Sequence, residues 1–148
     1  MAPTDAADGF SAEERAAMKQ RAAELKAAKG RGSGAKRAAA DAQDCLDQIA
    51  AMPEADRVIA EAVHAIVAEH APDLAPRTWY GMPAYARDGK VVVFFKPAAK
   101  FKVRYAGVGF NEWANLDDGD MWPTAFAVIA MNPDVRASLT DLVRRAAS

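Results

Sequence analysis

Residues 77–106, RTWYGMPAYARDGKVVVFFKPAAKFKVRYA, decide how this chain folds. Within them, Trp79 to Arg87 and Lys90 to Lys96 flank Asp88-Gly89, a dipeptide suited to the positive φ angles of a tight hairpin turn. After Pro97-Ala98-Ala99-Lys100 a third strand is predicted from Phe101 to Ala106. There Phe101, Val103 and Tyr105 alternate with Lys102 and Arg104, the pattern of one buried and one open face. Gly81-Met82-Pro83 interrupts the first strand, because proline donates no ladder bond and glycine permits unusual φ; such a break can open a pocket.

Toward the N-terminus the period changes from two to 3.6. In residues 54–70, Val58, Ile59, Ala62, Val63, Ile66 and Val67 fall on one half of the helical wheel, with Arg57, Glu61 and His64 on the other. Ala71-Pro72 ends that helix. A shorter helix is predicted from Asp41 to Met52. Cys45, Leu46, Ile49 and Met52 share its apolar arc, and Asp41, Asp44 and Asp47 lie opposite. Before it, GRGSGAKR (30–37) has the composition of a flexible linker. A first helix is expected from Ser11 to Lys29, since Ser11 and Glu14 form a capping-box pair. Its apolar residues are mostly alanine, so it reads as a loosely docked arm.

Toward the C-terminus, Gly107 to Pro123 is irregular but holds two tryptophans, which suits a packed loop. A fourth strand is predicted from Thr124 to Met131. Asn132-Pro133 then opens a last helix with Val135, Leu139, Leu142 and Val143 on one face. Helices on either side of a strand meander give an α+β fold, a two-layer sandwich with helices on one face of a mainly antiparallel sheet of four or more strands. The division is residues 1–40 as arm and basic linker, and 41–148 as the α/β domain.

Composition narrows the function. The chain of 148 residues carries 20 acids, 19 bases and one cysteine. One core is expected, with no internal disulfide. The near-neutral balance argues against a nucleic-acid binder. No apolar stretch approaches the roughly 20 residues of a membrane span. The first ten residues have no apolar leader region, so a reduced, cytoplasmic protein is expected. Charge is nonetheless segregated, as a count along the sequence gives a net −3 over 1–18, +6 over 19–37, −7 over 41–73, +6 over 74–104 and −3 over 105–148.

The run Thr78-Trp79-Tyr80-Gly81-Met82-Pro83-Ala84-Tyr85, with the preceding helix MPEADRVIAEAVHAIVAEHAP and the hairpin after it, resembles the YdhG-like family of domains of unknown function. The resemblance spans about residues 42–147. It implies a frataxin-like sandwich and a role as an iron chaperone that binds iron weakly, with no tightly held cofactor, and iron-using proteins as partners. On that reading Asp41, Asp44, Asp47, Asp56 and Glu61 form the metal-binding face, oxygen donors that suit a hard cation. The alternative is a binding module for a small anionic molecule or a peptide on the open sheet face, through Trp79, Tyr80, Met82, Tyr85, Lys102 and Arg104, with Lys96 nearby. A protein-interaction domain, monomeric or homodimeric, is a third. No Ser/His/Asp or Cys/His arrangement is visible, so no enzyme is expected, and Cys45 reads as core.

Overall fold

In the computed structural model, residues 9–148 are described. The reading of the first ten residues as leaderless lies, for 1–8, outside them. The elements are α1 (Ala12–Arg31), α2 (Ala35–Ala50), α3 (Glu54–His70), β1 (Ala75–Trp79), β2 (Met82–Arg87), β3 (Lys90–Lys96), α4 (Ala98–Phe101), β4 (Ala106–Phe110), β5 (Ala125–Val128) and α5 (Pro133–Ala147). The five strands form one antiparallel meander in sequence order. With helices on one face of this sheet, the molecule is an α+β two-layer sandwich. Among the described residues no helix is long and apolar enough to cross a membrane.

Register and alternation assign the two faces. Tyr85 pairs with Val93, Val93 with Phe110, and Phe95 with Val108. These side chains join Cys45, Ile49, Ile59, Val63, Ile66 and Val67 of the helices and Leu139 and Val143 of α5 in the main core. The opposite face carries Ala84 and Phe94, which pair with each other, and a smaller apolar cluster with Ala86, Val91 and Trp79. Val58 of α3, placed on the apolar half of the wheel, is exposed.

Three strand boundaries differ from the sequence reading, each for a physical reason. Trp79 to Arg87 is two strands, joined by Tyr80-Gly81, both in the left-handed region at φ 53° and 72°. Two positive φ values in succession define the hairpin turn whose twist matches its strands. Met82 and Pro83 therefore lie inside β2 and are buried, so the expected break is a tight turn between two paired strands. A Cβ on Gly81 would meet Gln20 Oε1 at 2.2 Å and Lys100 Nζ at 2.4 Å, because side chains of α1 and α4 already fill that space.

The strand expected from Phe101 to Ala106 is absent. Ala98–Phe101 forms a helical turn, Lys102 ends it in the left-handed region, and β4 begins only at Ala106. The turn is stabilised from outside: the Asp56 carboxylate of α3, 5% exposed, accepts the N–H groups of Ala98 (3.2 Å) and Ala99 (2.9 Å). A capping group 42 residues away in sequence overrides a five-residue alternation. Finally, β5 covers only Ala125–Val128 of the expected Thr124–Met131.

The arm is bound more firmly than its alanines suggest. The Ser11–Glu14 capping box forms, at 3.0 and 2.9 Å. Glu24 accepts the N–H groups of Tyr80 (3.0 Å) and Gly81 (2.9 Å), so one carboxylate of α1 holds both donors of the β1–β2 turn. Lys100 Nζ donates to the Gly81 carbonyl at 2.8 Å. The linker shortens to Gly32-Ser33-Gly34, and α2 starts at Ala35.

Candidate functional site

The acidic candidates are separated by their protein partners. Arg31 donates to Asp41 and to Asp44, each at 2.7 Å, closing the α1–α2 hairpin. Arg37 approaches Asp41 at 3.6 Å. Asp47 accepts from Gln43, Glu61 lies 3.6 Å from Arg57, and Asp56 caps α4. Among the described residues, no three or more His, Cys, Asp or Glu come together as a metal-holding group. The acidic arc of α2 is thus partly internal, which a helical wheel drawn for α2 alone cannot reveal.

The ligand-binding candidates divide between the two faces. Tyr85 points into the main core, 1% exposed, and its hydroxyl lies 2.9 Å from His64 Nδ1 and 4.0 Å from Cys45 Sγ. This corrects two placements at once, since Tyr85 is absent from the open face and His64 is half-buried instead of on a solvated arc. Burial lowers the His64 pKa and raises that of Tyr85, and it pushes the Cys45 thiol up to about 11. The sulfur is protonated at neutral pH and belongs to the core, not to nucleophilic chemistry. Lys102 leaves the sheet face as well. It caps α4 from the left-handed position and pairs with Glu13 of α1 at 3.1 Å.

What remains on the open face is coherent. Trp79 packs on Phe94 with ring centroids 5.1 Å apart, and Tyr80 meets Trp79 edge-on at 4.9 Å, with the Arg21 guanidinium 5.8 Å from the Tyr80 ring. Beyond Phe94 the surface drops into a groove of about 590 Å³. Gly107, Gly109, Ala125 and Ala127 are paired across β4 and β5; the Phe94 ring covers Gly109, and the other three leave the floor almost bare. Phe94 and Lys96 of β3, and Val103, Arg104 and Tyr105 of the segment before β4, also line it. Lys96 lies 5.2 Å from the Phe101 ring centroid, and the Arg104 guanidinium 4.9 Å from that of Tyr105. Among the described residues neither cation has a carboxylate within ion-pair distance. Glu14 of α1 feels the charge of Lys96 from beyond that distance. Two cations over aromatic rings, neither held in a direct ion pair among the described residues, beside a flat floor suit a planar, anionic group.

Of the groove residues, the sequence reading named Lys96 and Arg104 but not Phe94, Tyr105 or the floor, and Trp79 lies beside the groove against Phe94. A signal for the floor was present: Gly107 and Gly109, and Ala125 and Ala127, are small residues at a period of two, which leaves one strand face without side chains.

A second groove, also about 590 Å³, lies in the loop after β4 and is lined by Glu112, Asp117, Asp120, Met121 and Trp122. Its charges are acidic and its rim is open, and they do not gather into a ligand set. Comparison with family models, with curated proteins and with solved structures returns no match. Fold and site together define the class as an α+β sandwich with an open, cation-flanked sheet face.

Proposed function

We propose that this protein is a binding module that holds a small aromatic or otherwise planar anion in the sheet-face groove. The observation that carries this reading is the juxtaposition of Lys96 and Arg104, neither in a direct ion pair among the described residues, with a floor of Gly107, Ala125 and Ala127 bordered by Phe94 and Tyr105. The floor accepts a flat face by van der Waals contact, and the two cations select its charge. The volume falls within the range of about 300 to 1,000 Å³ typical of small-molecule sites. Iron carriage through Asp41, Asp44, Asp47, Asp56 and Glu61 has less support, since Arg31 already holds the first two and Asp56 caps a helical turn.

The test is calorimetric titration with benzoate, indole-3-carboxylate and adenosine monophosphate. Binding of at least one is expected, weakened about tenfold or more by Arg104→Ala. Gly107→Leu should block it without unfolding the chain, because a Cβ there meets only the Phe126 carbonyl, at 3.7 Å. Absence of binding by all three probes, or binding that both variants leave unchanged, refutes the reading. Ferrous iron binding that is abolished by Asp41→Ala, Asp44→Ala and Asp47→Ala together would return the assignment to the acidic helix.

A further inference from the structure

The sheet has two borders, and the chain treats them differently. At β1, Pro76 and Arg77 interrupt the edge with a missing donor and a charge, α2 packs across the strand, and Glu24 of α1 fastens its turn. At β5 none of these devices is present along Ala125–Val128. The strand is hydrogen-bonded to β4 on one side and to no strand on the other. No charged residue occurs from Met121 to Pro133. Two of the most exposed large apolar side chains of the described residues flank this edge, Met121 at 88% and Ile129 at 82%.

The ladder fixes which backbone groups are free. Phe110 N–H donates to the Thr124 carbonyl at 2.7 Å, and the register continues through Val108 with Phe126 and Ala106 with Val128. Residues 124, 126 and 128 therefore turn their backbone groups toward β4, and Ala125 and Ala127 turn theirs outward. Unpaired donors and acceptors on an apolar edge call for another extended strand.

We propose that β5 is a dimerisation edge, pairing antiparallel with β5 of a second copy of this chain. Three features favour a second copy as the occupant. The segment is uncharged, so self-pairing sets no like charges opposite one another. Centred on Phe126, the pairing sets Ala125 against Ala127 and the exposed Ile129 against Pro123, apolar against apolar, with about four hydrogen bonds from the outward groups. Pro123, at the next outward position, has no N–H and stops the ladder there, which gives a short closed contact instead of an open-ended one.

The symmetry has a consequence for the groove. An antiparallel edge pair is related by a twofold axis perpendicular to the sheet, which leaves both open faces on the same side. The ten-stranded sheet would carry all helices behind it and both grooves in front. Ala125 and Ala127 of each copy would meet at the centre, and Lys96 and Arg104 of each would lie toward the two ends.

Sedimentation velocity of the full chain over a concentration series tests this independently of any ligand. A reversible monomer–dimer equilibrium is expected. Ala127→Pro removes one outward donor while leaving the β4 ladder, and Ile129→Lys places a charge at the contact without touching the backbone. Each should raise the dimer dissociation constant at least about tenfold with the circular dichroism spectrum unchanged. A wild type that stays monomeric into the hundred-micromolar range overturns the proposal, as does a dimer that Ile129→Lys leaves intact. Binding of an unstructured peptide by a strictly monomeric chain overturns it too, in favour of a foreign strand.

Discussion

At Gly109 the Phe94 ring lies where a side chain would be: a Cβ there would fall 2.2 Å from Phe94 Cζ. The pairing of these two residues across β3 and β4 covers a bare backbone with an aromatic face. Gly109→Ala must displace that ring and with it the Trp79 contact, so a loss of about 1–3 kcal/mol is expected in urea denaturation. The Tyr85 hydroxyl is the counterpart on the helix side. Tyr85→Phe leaves His64 Nδ1 without its 2.9 Å partner and should cost about 1–2 kcal/mol by the same assay. His64 also sets a pH dependence. Burial holds its folded pKa below the ordinary 6.5, so the unfolded chain takes up the proton first as the medium is acidified. Its contribution to stability is full above 6.5 and declines as pH falls from there toward the folded value. Urea midpoints measured across that interval should slope less in His64→Gln than in the wild type.

Among the elements, α1 illustrates how a helix of low apolar content is held. Only Ala17 of it is buried, so hydrophobic burial contributes little, and the attachment rests on Glu24 at the β1–β2 turn and on Arg31 between Asp41 and Asp44. Charged acceptors on backbone donors contribute roughly 1.5–3 kcal/mol each when shielded, and exposed ion pairs less than about 1. Glu24→Ala should therefore release α1, read as faster tryptic cleavage after Lys26 and Lys29 with the sheet amides still protected from exchange. The α4 turn depends in the same way on a distant group. Asp56→Ala removes its cap, at a cost of about 1–2 kcal/mol, and frees the Lys96–Tyr105 side of the groove to move. Both attachments escape a reading by periodicity, which sees the helix and its polar residues but not the turn or strand that those residues grip.

For the whole molecule, a meander with helices on one face leaves the other face without a covering layer. The sheet meets this in two ways. Near β2 and β3 it builds a small cluster from Ala84, Ala86, Val91, Trp79 and Phe94, and along β4 and β5 it strips the surface to glycine and alanine. The first is packing and the second is a groove with Lys96 and Arg104 at its border. If β5 pairs with its own copy, ligand binding at the groove and self-association should be coupled. A saturating ligand that contacts both copies would tighten the dimer, measured as a lower dissociation constant in its presence.

The sequence by itself determined the stretches of α1, α3 and α5, the capping box at Ser11, the Asp88-Gly89 hairpin, the α+β class and the burial of Cys45. All of these follow from local conformational preference or from a period shared by neighbouring residues. The tertiary structure alone decided that Tyr80-Gly81 is a second hairpin turn held by Glu24, that Asp56 converts residues 98–101 from strand to helix, and that Tyr85 faces His64. It also decided that Arg31 pairs with both Asp41 and Asp44 and that Arg104 lines the groove while Lys102 does not. In each case the deciding partner is distant in sequence, and its hydrogen bonds or charge outweigh a local preference of only a few tenths of a kcal/mol per residue.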